Sequence, residues 1–200
     1  MRQATQQTGD AAARVPTISL EPMTVEDFFE FADGRPDDEK WELIDGCPRM
    51  NAAPSPPHQL IVGNVIVYLG QALRALGNPY FVIPGIGVRV SDNKLPVPDV
   101  MVSPLSDFEA RDCTDAIAVF EILSPSTRRM DLQWKRTAYP AVAAIQHYVV
   151  IAQSSIDISV FDRAGGFAKR RITAREGVLD LPACGLTIPV AEIYRHTGLV

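Results

Sequence analysis

Ala116-Ile-Ala-Val-Phe-Glu-Ile-Leu123 is apolar at every position except Glu121, and Leu95-Pro-Val-Pro-Asp-Val-Met-Val-Ser103 upstream has the same character around Asp99. Runs of this length, nearly apolar on both faces and bounded by turn-forming residues, read as central strands covered on both sides. Neither carboxylate has a packing reason to be there. An unpaired charge inside such a run costs several kcal/mol or more, and a bound cation resolves that cost. Two acids side by side on neighbouring strands form a hard-oxygen site suited to Mg²⁺ or Mn²⁺. The fold class implied is α/β: a central mixed β-sheet flanked by helices, with the acids in its middle.

Outward from these runs, residues 80–84, 86–91, 97–102, 116–123, 146–152, 156–161 and 168–173 read as strands between Gly, Pro, Asn and Asp breaks. Upstream, Thr24 is placed to cap a short helix with acidic residues in its first turn. That helix is expected to pack as a lid. Residues 41–45 and 47–51 form a hairpin around Gly46 and carry Glu42. Pro54-Ser-Pro-Pro57 starts a long helix on which Ile61, Val65, Leu69, Leu73 and Leu76 recur at helical spacing as far as the Gly77-Asn78 break. A further helix is expected over 127–139, and a short one after Pro189.

With 200 residues, 46% of them hydrophobic and 22% charged, the chain suits one globular domain over residues 18–200, preceded by a polar, Ala-rich arm at 1–17 taken as flexible. No uninterrupted apolar stretch is long enough to span a bilayer, and the start has no secretory apolar core, so a cytoplasmic protein without a membrane partner is expected. Cys47, Cys113 and Cys184 are odd in number and lack ligand spacing, which speaks against a disulfide framework and a structural zinc site. A formal net charge of −5 counts against a nucleic-acid partner. Local basic clusters at Arg128-Arg129, Lys135-Arg136 and Lys169-Arg170-Arg171 count the other way.

Trp41-Glu-Leu-Ile-Asp-Gly46, Pro54-Ser-Pro-Pro-His-Gln59, Val97-Pro-Asp-Val100, Phe120-Glu-Ile-Leu-Ser-Pro-Ser-Thr127, Asp131, Lys135-Arg136 and His147-Tyr-Val-Val150 follow one another in the order seen in the Uma family. Over residues 24–163 the chain resembles that family of restriction-endonuclease-like proteins, part of the PD-(D/E)XK nuclease superfamily. The resemblance implies a restriction-endonuclease-like core. It also implies an endonuclease that uses Mg²⁺, or Mn²⁺, to hydrolyse phosphodiester bonds of DNA with a metal-activated water. A homodimer is expected by the same analogy, with apolar surface near residues 148–158 as the contact.

Carried over residue by residue, Asp99 looks like the superfamily's strand aspartate and Glu121 like the acid of its (D/E)-x-K element. The lysine place falls on Leu123, which can neither orient nor deprotonate water. Lys135 matches a lysine on the following helix that compensates, and residues 132, 135, 136 and 139 are expected to share one helix face. The resemblance thus implies a catalytic set of Glu42, Asp99, Glu121 and Lys135. Asp99, Glu121, the carbonyl of Ile122 and Glu42 would hold the metal, and His58, Gln59, Arg128 and Arg129 would contact substrate. His147 stands where the family often shows Glu, and Ala152-Gln153 replaces a frequent Asp.

Each residue also has a structural reading. Asp99 and Glu121 form buried ion pairs with Lys135 or Arg89, Glu42 is an exposed strand residue, His58 caps a helix, and Ser124, Ser126 and Thr127 cap the next one. Two other functions fit the same chain: a catalytically silent nuclease-fold module that binds nucleic acid or protein, and a metal-dependent nucleotide phosphohydrolase, which the acidic balance favours.

Overall fold

The computed structural model describes residues 22–199 apart from 37, 78, 125–127 and 129. The expected N-terminal arm, the caps Ser126 and Thr127, and Arg129 lie outside the described residues. A six-stranded mixed sheet organises the rest. Its strands are β3 (Phe81–Ile83), β5 (Val100–Ser103), β7 (Ala118–Leu123), β8 (His147–Ala152), β9 (Ile158–Asp162) and β10 (Lys169–Ile172), in the order β10-β9-β8-β7-β5-β3. Only β7 and β8 run parallel; the other neighbours are antiparallel. Three two-stranded pieces surround it: β1 (Trp41–Ile44) with β2 (Cys47–Met50), β4 (Gly87–Val88) with β6 (Asp112–Cys113), and β11 (Val178–Leu181) with β12 (Leu186–Pro189).

All residues of β5, β7 and β8 are buried, as double-sided apolar strands require. On one face, Phe120, Ile122, Val149 and Val160 meet the stripe Ile61, Val65, Leu69 and Leu73 of α2 (Pro56–Ala75). Burial of each such side chain contributes about 1.5–3 kcal/mol. The β11–β12 hairpin and the four-residue α4 (Val190–Ile193) close this side. On the other face, Val119, Leu123, Tyr148 and Phe161 pack with Tyr139 and Ile145. No helix among the described residues is long and apolar enough to cross a membrane.

Thr24 caps α1 (Val25–Asp33) reciprocally with Asp27, each side chain taking the other's backbone N–H. The expected lid is not formed: α1 docks through Val25 and Phe28 onto Leu43 and Leu95, and none of its residues lines the cavity described below. Asp45 and Gly46 both take positive φ, 50° and 76°, which makes the tight β1–β2 turn. Leu76 drops out of the α2 stripe because it is the C-cap, 58% exposed. The expected strand 97–102 begins only at Val100, since Pro96 and Pro98 have no N–H for a ladder.

The chain between β7 and β8 departs most from expectation. Met130–Lys135 is wound as a π-helix, followed by α3 (Arg136–Ala138) and a 3₁₀ turn over Tyr139–Ala141. The buried positions are Asp131, Lys135, Ala138 and Tyr139, whereas Arg136, expected on the inner face, is exposed. Of the residues expected near a dimer contact, 148–152 and Ile158 are buried inside the sheet, while 153–157 are exposed or half-buried.

Candidate active site

The β5–β7 register pairs Val100 with Phe120, which brings Asp99, one residue before β5, to the position facing Glu121. The two acids are also joined through the backbone, because the Ile122 N–H donates to Asp99 Oδ2 at 2.7 Å. Glu121 sits on the face of β7 opposite α2, beneath the π-helical turn. Lys135 reaches it from that turn, Nζ to Oε1 2.9 Å, and the Tyr139 hydroxyl donates to the same oxygen at 3.0 Å. Lys135 Nζ also lies 3.2 Å from Glu42 Oε2 and 3.5 Å from Asp131 Oδ1.

Glu42, Glu121, Asp131 and Lys135 are each no more than 4% exposed. Burial by itself favours loss of the Lys135 proton, but Glu121, Glu42 and Asp131 outweigh it and hold the ammonium well above its ordinary pKa. Burial pushes the Glu121 carboxyl up, Lys135 pulls it back, and Asp131 and Asp99 add to the push. Tyr139 and Tyr148 are pushed up by burial and then by the Glu121 charge, so both stay protonated donors. Tyr148 gives its hydroxyl hydrogen to the Asp131 carbonyl at 2.8 Å.

The hairpin is pinned over this cluster at two points. Lys135 holds Glu42 on β1, and Trp134 Nε1 donates to Asp45 Oδ2 at 2.7 Å in the turn. Beside the cluster opens a cavity of about 380 Å³ bordered by Lys40, His58, Gln59, Asp99, Glu121, Ile122 and Lys135. Asp99 is 26% exposed toward it, and His58 Nε2 stands 3.3 Å from Asp99 Oδ2.

Among the described residues no three His, Cys, Asp or Glu side chains form a metal-holding group. Mg²⁺ does not need three, since it keeps several waters and is bound by one or two carboxylates. Asp99 and Glu121 both border this cavity, and their carboxylate oxygens are hard donors of the kind Mg²⁺ or Mn²⁺ takes.

The structure therefore brings Glu42, Glu121 and Lys135 into contact and sets Asp99, Ile122, His58 and Gln59 around the adjoining cavity. Arg128 lies outside the cavity lining: its side chain is exposed, and its backbone N–H bonds Ser124 O at the rim. The structural pairing of Glu121 with Lys135 is present, while Arg89 is taken by Asp112 and Glu26 instead of Asp99. Glu42 is buried, against its reading as an exposed strand residue. His147 is a structural pin, its Nδ1 2.7 Å from Asp162 and its Nε2 accepting the Ala183 N–H at 3.1 Å. Asp131, Tyr139 and Tyr148 were not expected as members of the site. The i, i+4, i+8 spacing of Asp131, Lys135 and Tyr139 was the available signal.

A mixed sheet with acids facing each other on adjacent strands, and a buried lysine delivered by the crossover between its two parallel strands, defines an α/β protein of the restriction-endonuclease-like type. The chain belongs to the Uma2 family, whose model, described as "Putative restriction endonuclease", matches residues 25–191. Its fold is similar to that of a "putative nuclease belonging to DUF820" from Anabaena variabilis ATCC 29413 known from a crystal structure. The TM-score is 0.71 at 15% sequence identity, with 86% of this chain and 98% of that chain covered. No curated protein matches the chain in sequence.

Proposed function

We propose that the protein is a Mg²⁺- or Mn²⁺-dependent endonuclease that hydrolyses phosphodiester bonds of DNA. The observation that carries this reading is the pairing of two acids at one cavity: Asp99 and Glu121 stand opposite each other on adjacent strands and both border it, with Glu42 and Lys135 beside them. Acids brought together in this way at a cavity favour a bound cation. Asp99, Glu121 and the Ile122 carbonyl would hold it. When bound, it would polarise a phosphate and lower the pKa of a water.

Lys135 spends its hydrogens on carboxylates and keeps its proton, so it serves as a fixed positive charge that orients Glu121 and Glu42 and not as a base. Glu42 acts through Lys135 and through the Val97 N–H, 3.4 Å from its Oε2, which ties the 96–99 segment down. In this reading Gln59, exposed at the rim, would meet the phosphate backbone, and Arg128, outside the cavity lining, would do so only farther along it.

A second reading, a silent binding module, is favoured by one observation: Glu42 and Glu121 are already paired by Lys135. Nicking of supercoiled DNA and cutting of single-stranded DNA across Mg²⁺ and Mn²⁺ concentrations separate the two. Metal-dependent cleavage by the wild type that Asp99→Asn abolishes supports the enzyme. Cleavage surviving Asp99→Asn, or none at any metal concentration, sinks it.

A further inference from the structure

We infer that His58 is a positioning residue for Asp99, holding one carboxylate oxygen so that the other is presented to a divalent cation in the cavity. This rests on the cation reading above. The N-terminus of α2 is built to place His58: Ser55 is the N-cap, Pro56 and Pro57 fix the backbone of the first turn, and the His58 N–H is given to Ser55 Oγ at 3.4 Å. Ser55 is tied in turn to the end of β8, its hydroxyl donating to Gln153 Oε1 at 2.6 Å.

The imidazole so placed is nine-tenths buried, its side chain 10% exposed, and its Nε2 lies 3.3 Å from Asp99 Oδ2. The Ile122 N–H reaches the same Oδ2 at 2.7 Å. Both contacts that the described residues make with this carboxylate thus fall on one oxygen, from α2 on one side and β7 on the other. Oδ1 keeps its lone pairs for another partner.

Nε2, which faces the carboxylate, is the ring nitrogen placed to donate toward it. Nδ1 is buried without a hydrogen-bond partner among the described residues. A buried polar atom left unmet costs free energy, and leaving one beside a site calls for a reason. Clamping Asp99 supplies that reason. Hydrogen bonds to metal-ligating carboxylates orient them, and losing one lowers metal affinity about 10–100-fold.

The test is Mn²⁺ binding to the full chain, read from the EPR signal of free Mn²⁺, with thermal melting as a check on folding. His58→Leu fills the space without a donor, and His58→Gln restores an N–H at similar reach. Wild-type binding that is lost in Asp99→Asn, weakened about tenfold or more in His58→Leu and kept near wild type in His58→Gln supports the inference. His58→Leu binding like the wild type overturns it while the cation reading stands. His58→Gln as weak as a folded His58→Leu overturns the role of the polar contact, and if His58→Leu does not fold, the same loss in His58→Gln does so alone. A wild type that binds no Mn²⁺ overturns the cation reading and the inference together.

Discussion

Lys135 and Glu121 lie fourteen residues apart in sequence and 2.9 Å apart in space, both almost wholly out of solvent. The β7–β8 crossover carries the lysine over the strand that bears the acid. Lys135→Ala leaves Glu42, Glu121 and Asp131 buried without their shared counter-charge, and we expect a loss of about 3–5 kcal/mol in urea unfolding near neutral pH. A loss below about 1 kcal/mol would mean that water or protonation already neutralises the cluster. Absence of cleavage in this variant therefore speaks to catalysis only if the variant is folded.

Tyr139 and Tyr148 should behave as one unit. Their rings are 5.0 Å apart, and their hydroxyls donate to Glu121 and to the Asp131 carbonyl, on either side of Lys135. Each Tyr→Phe change leaves a buried acceptor short of one donor, at about 1–2 kcal/mol. In a double-mutant cycle followed by urea unfolding, we expect a coupling above about 0.5 kcal/mol. Strict additivity would show that the two hydroxyls serve separate networks.

Asp99 and Glu121 were legible in the sequence because each interrupts an apolar run, whereas Glu42 and Lys135 came only through the family resemblance, Lys135 by way of Leu123 standing where the superfamily has a lysine. The strands at Asp99 and Glu121 followed from the same runs. What lay hidden was contact made by winding. A regular helix puts 132, 135, 136 and 139 on one face, but the π-helical turn buries Asp131 with Lys135 and turns Arg136 out. The β11–β12 hairpin was missed because four-residue strands joined by a 3₁₀ turn leave too short an alternation to read. Much of the apolar stretch expected as a dimer contact is buried for a plainer reason. An apolar strand offers its side chains equally to a partner and to its own core, and here the core takes them.

Asp115 should give the fold a measurable acid limit. Partial burial pushes its carboxyl up, but hydrogen bonds from Ser103 Oγ at 2.5 Å, from the Ser106 hydroxyl and N–H at 2.6 and 3.1 Å, and from Cys113 Sγ hold its pKa at about 2. In the unfolded chain the group titrates near ~3.9, so as pH falls the unfolded state takes up the proton first. The stabilisation is complete above about pH 4 and is lost as pH drops toward about 2. Allowing for solvent screening, it amounts to about 1–2 kcal/mol. Unfolding of wild type and Asp115→Ala compared at neutral pH and near pH 2.5 should show a gap that narrows in acid. A gap independent of pH would assign the effect to packing.

Divalent cations should stabilise the wild type and leave Asp99→Asn unmoved. Asp99 is 26% exposed and accepts a backbone N–H, a bond that Asn can still accept, so the substitution itself should shift the metal-free melting temperature little. A ligand that binds only the folded state adds about 2.7 kcal/mol at 100 times its Kd. Melting in excess chelator should remain cooperative, because Lys135 already supplies one positive charge to the buried acids. Mg²⁺ or Mn²⁺ should then raise the melting temperature of the wild type in a saturable way. An equal rise in Asp99→Asn would place the cation elsewhere on this acidic chain, and no rise in either would shift the balance to the silent module.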